Sequence, residues 1–141
     1  MDFSDLNGFI FTCKEFKILF PEKMFKFVDQ ENRSKFGNHK YNLNKKNSDC
    51  KKFNSNCTCC EGGFYFTNKK NLKFFAIERH YDEYGDSVNN YFPYGNKLLE
   101  IQLPDDERFV ILEGSKAKCD TVFPILHKKI VTEKEIDQNF F

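Results

Sequence analysis

This sequence predicts an α+β domain, and three observations carry that prediction. Leu99-Glu100-Ile101-Gln102-Leu103 alternates apolar with polar side chains, the period of a half-buried strand, and shorter stretches elsewhere do the same. Helix-start chemistry stands beside these strands. Thr132 with Glu135 forms a capping box, and Val131 with Ile136 supplies the hydrophobic staple that accompanies one. The 141 residues contain no internal repeat and no linker composition, and their number suits one core. The expected fold is a single α+β domain over residues 1–141, with a small mixed or antiparallel sheet and two or three short helices.

The elements follow in chain order. Residues 1–12 read as a loosely structured lead-in anchored by Leu6, Phe9, Ile10 and Phe11. From Cys13 to Phe20 the placement of Phe16, Ile18 and Phe20 against Lys17 predicts a strand that stops at Pro21. Met24 to Val28 alternates again and predicts a second strand. Residues 29–55 form a long polar loop, with a turn and a short extended piece expected over Gly37 to Tyr41.

The stretch from Cys50 to Glu78 is the organising segment. Gly62-Gly63 turns the chain into a strand at Phe64-Tyr65-Phe66, since glycine accepts turn backbone and aromatics favour a pleated surface. Thr67 or Asn68 then caps a helix running from about Asn68 to Glu78, with Leu72, Phe75, Ala76 and Ile77 as its apolar positions. His80 falls at the end of that helix, where a cation meets the helix C-terminus. Tyr81 to Pro93 reads as an aromatic loop lying on the core. After the alternating strand at Leu99, Pro104-Asp105-Asp106 turns the chain. Phe109 to Leu112 is a short strand closed by Gly114-Ser115, and Cys119 to Leu126 is another, with Pro124 placing it at an edge or bulge.

Composition narrows the function classes. With 18 Phe, 6 Tyr and no Trp, phenylalanine must fill much of the core, which reconciles a stable interior with a mean hydropathy of −0.65. A net charge of +1 excludes a strong global field for nucleic acid or an acidic membrane. The lysines between Lys35 and Lys52 are a local exception. They make a solvated loop, or a phosphate-facing one in which Phe36, Tyr41 and Phe53 stack on bases. No secretory leader and no membrane-length apolar run is visible, so an intracellular setting with reduced thiols is expected.

Motif chemistry is sparse. Cys57 and Cys60 make one C-x-x-C pair, half of a structural zinc site, which Cys50 and His39 would complete; the alternative is reduced thiols. His127 reads as a solvated turn residue. Asp105-Asp106-Glu107 sit in a turn and read as solvated carboxylates. No nucleophile elbow or H-E-x-x-H helix is present.

Two resemblances add to this. The succession Cys59-x-x-Gly62-Gly63-Phe64-Tyr65-Phe66-Thr67, then Tyr94-Gly95, Leu98 to Asp105 and Lys118-Cys119-Asp120, resembles a domain of mimivirus-type giant-virus proteins, found alone or ahead of ankyrin repeats. Asn38 to Asn44 is similar to the pattern that leads into it. That resemblance implies an intracellular viral protein, an adaptor or virion component without assigned activity. Gly63 to Thr67, a following helix and Lys97 to Leu103 are similar to the core of poly(ADP-ribose) polymerase-like transferases. That second resemblance implies Tyr65 as the platform on which nicotinamide stacks, with Gly63 beside it. His39 is the nearest candidate for the residue gripping the NAD ribose, and the family's catalytic glutamate has no match, Lys118-Cys119-Asp120-Thr121 offering Asp120 instead. The expected function is a non-catalytic interaction module with a protein partner and no cofactor. The alternative is an ADP-ribosyltransferase-like or NAD-binding domain on a degenerate form of that fold.

Overall fold

Two antiparallel sheets of unequal size carry the chain. The computed structural model describes residues 1–35, 39–48 and 62–138, with the backbone alone at Ser87 and Asn89. Ten strands are present among them: β1 (Ile10–Thr12), β2 (Met24–Val28), β3 (Asn47–Ser48), β4 (Phe64–Asn68), β5 (Glu78–Tyr81), β6 (Ser87–Tyr91), β7 (Lys97–Gln102), β8 (Phe109–Glu113), β9 (Lys116–Cys119) and β10 (Thr121–Lys128). The helices are short: α1 (Cys13–Leu19), α2 (Glu133–Gln138) and single 3₁₀ segments at Phe3–Leu6 and Lys69–Phe75. The class is α+β, as expected. The main sheet is wider than expected, with eight strands in the order β1-β8-β9-β4-β2-β7-β10-β3, and β5 pairs with β6 in a separate hairpin.

Both faces of the main sheet are covered. One carries a cluster built on Phe3, Phe16, Phe20, Phe64, Phe66 and Leu99 beneath α1 and the first 3₁₀ turn. The other packs Phe25, Phe27 and Leu98 against Leu72, Ala76 and Val131 from the second 3₁₀ segment and the approach to α2. The phenylalanine-rich composition appears directly as ring contact: Phe3 meets Phe16 and Phe20 at 5.8 and 4.8 Å between centroids, and Phe16 meets Phe66 at 5.9 Å.

Several expectations are corrected. Most of the stretch Cys13 to Phe20 is helix α1 rather than a strand, with Phe20 as its C-cap. Thr12 caps it, accepting from the Glu15 amide at 3.1 Å while the Glu15 carboxylate accepts from the Thr12 amide at 3.1 Å, a capping box that outweighs the apparent alternation. Cys13 and Phe16, three apart, are the buried pair, whereas Ile18 is 73% exposed. The lead-in is ordered: Phe3 is wholly buried and β1 pairs with β8. The helix expected to reach Glu78 is a 3₁₀ segment ending at Phe75, so His80 lies on β5. The aromatic loop 81–93 is largely a hairpin whose Tyr81 and Tyr84 face solvent. β7 is buried on both faces, Glu100 included, which an ion pair with Lys23 at 3.2 Å makes tolerable.

Other expectations hold. β2 and β7 lie where alternation placed them, β4 where the glycine turn and aromatic run did, and β8 where its short apolar run did. Gly114 takes φ +63 in the two-residue turn joining β8 to β9. Pro124 faces Ile101 of β7 on one side, and on the other β3 reaches only Thr121 and Val122, so the proline sits where that second neighbour has ended. Thr132 and Glu135 cap α2, with Val131 buried and Ile136 packed in the same cluster.

Candidate functional site

The local geometry of β2 and β4 creates the site. Both strands have other partners, β7 for β2 and β9 for β4, and they pair with each other only at Met24↔Asn68 and Phe25↔Thr67. Beyond Phe25 they part, and a cleft of about 70 Å³ opens over the gap. Strand alternation decides which side chains reach it. Phe25 and Phe27 of β2 and Tyr65 and Thr67 of β4 point to the cleft face. Lys26 and Phe66 line it from the strand backbone, since Lys26 Nζ lies 5.9 Å from the Tyr41 ring and Phe66 belongs to the cluster on the opposite face. Leu72 and Phe75 close one side and Tyr94 another.

Cations stand over the tyrosine rings of this cleft. Lys116 Nζ is 4.2 Å from the Tyr65 ring centroid, Lys118 Nζ is 5.6 Å from it, and Lys35 Nζ is 5.5 Å from the ring of Tyr94. Lys118 is opposite Tyr65 in the β4–β9 ladder and is wholly buried. Lys35 and Lys116 line the cleft itself, and no carboxylate does so among the described residues.

Hydrogen bonds hold the Tyr65 side in place. Its hydroxyl donates to Glu113 Oε2 at 2.9 Å, and Thr67 Oγ1 donates to the Ser115 carbonyl at 2.6 Å. Both link β4 to the end of the β8–β9 hairpin. Opposite, Gly95 allows Tyr94 to stand against the end of β2, because its φ of +97 and missing side chain let the turn lie on the Val28 carbonyl.

The residues singled out from sequence are not gathered here. Tyr65 is in the cleft. His39 is on the other side of β4: its ring lies 4.7 Å from that of Phe64, whose side chain points opposite to Tyr65, and its Nε2 is 3.2 Å from Asn47 Oδ1. Asp120 follows β9 and faces Arg108 at 3.5 Å, outside the cleft lining. Gly63, at φ +84, shapes the entry to β4 and is also outside the lining. Cys50, Cys57 and Cys60 lie outside the described residues, as do Phe36, Phe53, Lys51 and Lys52 of the lysine-rich segment. Among the described residues no group of three or more His, Cys, Asp or Glu could hold a metal. His127, expected in a solvated turn, lies on β10 with its ring 5.0 Å from Phe25.

Sequence reasoning missed Lys116, Glu113, Phe27 and Tyr94 as cleft or cleft-supporting residues. A signal for the first existed. Lys116-Ala117-Lys118 has strand period, which places two cations on one face, but only pairing with β4 shows that Tyr65 shares that face. No family model, curated protein or solved structure matches the chain. Among the described residues no helix is long and apolar enough to cross a membrane.

Proposed function

We propose that this chain is a non-catalytic binding module whose cleft holds a flat aromatic group bearing negative charge, with a nucleoside monophosphate as the simplest such group. The observation that carries this reading is the pairing of cation with ring on two sides of one cleft, Lys116 at Tyr65 and Lys35 at Tyr94. A base sliding between Phe27, Tyr65 and Tyr94 gains burial and stacking, on the order of 1–3 kcal/mol for one base on an aromatic side chain. A phosphate near an ammonium gains about 1 kcal/mol in bulk water and about 4 kcal/mol at the weaker screening of a protein surface, for charges ~4 Å apart. The module reading also accommodates the resemblance to giant-virus domains, which supplies a setting and no activity.

The test is thermal melting with AMP, GMP and UMP, with adenosine and inorganic phosphate as controls. A ligand that binds only the folded chain raises the melting temperature as its concentration passes the dissociation constant. The nucleotides should raise it more than either half alone, and added salt should reduce the effect. Melting curves unmoved by every nucleotide at millimolar concentration would remove this reading.

A second reading takes NAD as the ligand, with nicotinamide on Tyr65, and is favoured by the position of Tyr65 in the cleft wall. His39 takes no part in it, being on the opposite face. Stabilisation by NAD well beyond that by AMP, lost in Tyr65→Ala, would support this version over the first.

A further inference from the structure

Cys13 begins α1 and Cys119 ends β9, 106 positions apart in sequence, yet their sulfurs stand 3.8 Å from one another. Neither residue is exposed, and both belong to the cluster beneath α1. A disulfide needs sulfurs about 2.05 Å apart, so the pair must close by about 1.8 Å. Cys119 is fixed in the ladder, opposite Val110 on one side and Phe64 on the other. Cys13 sits at the start of a seven-residue helix whose outer side, Ile18 and Leu19, has no cover among the described residues. Cys13 is held as well, its amide donating to the Arg108 carbonyl at 2.7 Å, so rotation of the two side chains supplies the closure.

We propose that Cys13 and Cys119 are a redox site, closing to an intrachain disulfide under peroxide and reopening under thiol. Cys119 is the attacking sulfur. The contact with Cys13 and the backbone amides of Thr121 and Asp120 favour the Cys119 thiolate against the burial that opposes it, while the contact and burial push the Cys13 thiol upward. The Cys119 thiolate takes one oxygen from the peroxide, whose other oxygen leaves as hydroxide and is protonated to water. Cys119 is then a sulfenic acid. The Cys13 sulfur, giving up its proton, attacks that sulfur; the sulfur–sulfur bond forms and the oxygen leaves as a second water. Two electrons pass from the thiols to the peroxide, and two from an added dithiol reverse the change. The cross-link ties α1 to β9, the strand whose opposite face carries Lys116 and Lys118 against Tyr65.

The test uses a chain with Cys50, Cys57, Cys59 and Cys60 changed to serine, so that Cys13 and Cys119 are its only thiols. It is treated with hydrogen peroxide, unfolded in denaturant with an alkylating reagent, and weighed intact. The expected product is two hydrogen atoms lighter than the reduced chain, carries no alkyl group, and reverts with dithiothreitol. Its melting temperature rises by about 10 °C, since a loop of this length restricts the unfolded chain strongly. If the serine variant does not fold, the unmodified chain is oxidised and digested without reduction, and a peptide pair joined through Cys13 and Cys119 is expected. Two alkylated sulfurs after oxidation, sulfinic or sulfonic acids in place of a disulfide, or no joined pair from the unmodified chain, would overturn the proposal.

Discussion

Replacing Gly95 with alanine tests how the cleft wall is held, and the cost can be worked from local geometry. A methyl group at Gly95 falls 2.1 Å from the Val28 carbonyl oxygen and 2.7 Å from the Asp29 amide nitrogen. Ordinary contact begins near 3.4 Å, so the turn and the end of β2 must separate by about 1.3 Å. Two costs follow. A φ of +97 disfavours any side chain, by about 1–2 kcal/mol, and overpacking against backbone adds about 1–3 kcal/mol. Together they predict a loss of roughly 2–5 kcal/mol, or roughly 6–15 °C in melting temperature for a chain of this length. Gly114→Ala is the control, because its φ is +63 but nothing lies within 4 Å; it should show the conformational cost alone. Urea unfolding of both variants separates the two terms. Equal losses for the two substitutions, or a Gly95→Ala loss below about 0.5 kcal/mol, would refute the reasoning.

Other perturbations have clear directions. Phe16→Ala removes a wholly buried ring that touches Phe3, Phe20 and Phe66, and should cost about 3–5 kcal/mol in denaturant unfolding. Thr12→Ala removes the α1 cap and should cost about 1 kcal/mol, with Thr12→Ser retaining most of it. Burial holds the Tyr41 phenol well above its ordinary value of 10.0. Its unfolded form therefore ionises first as pH rises. The contribution is complete below about pH 10 and is lost above it, at up to about 1.4 kcal/mol per pH unit. Tyr41→Phe should abolish that share of the alkaline decline, as seen by comparing urea unfolding of the two chains from neutral pH upward; identical declines would contradict it.

Strand alternation and capping signals were legible in the sequence; cross-strand pairing was not. Leu99 to Leu103, Met24 to Val28 and the Thr132 box could be read because each signal is local. α1 does not show in the sequence because Phe16, Ile18 and Phe20 mimic a period of two, while the decisive contact, Thr12 with Glu15, begins one residue before the Cys13 to Phe20 stretch. The 3₁₀ segment at Lys69–Phe75 carries the apolar residues of a helix, but the chain leaves it for the β5–β6 hairpin. Tyr65 was identified from local sequence. Its neighbours were not, because Lys116, Glu113 and Tyr94 meet it through ladders and turns that join distant segments. His39 was linked to Tyr65 by resemblance, and the one-residue offset between Phe64 and Tyr65 puts the two on opposite faces of β4.

An amide NMR titration with AMP tests the central claim most directly. Occupation of the cleft should shift the signals of Phe27, Tyr65, Tyr94 and Lys116 together, saturably, while those of β1 and the β5–β6 hairpin stay in place. Lys116→Met should weaken the response. A titration that leaves the four cleft residues unmoved, or moves only residues outside the cleft, would contradict the account.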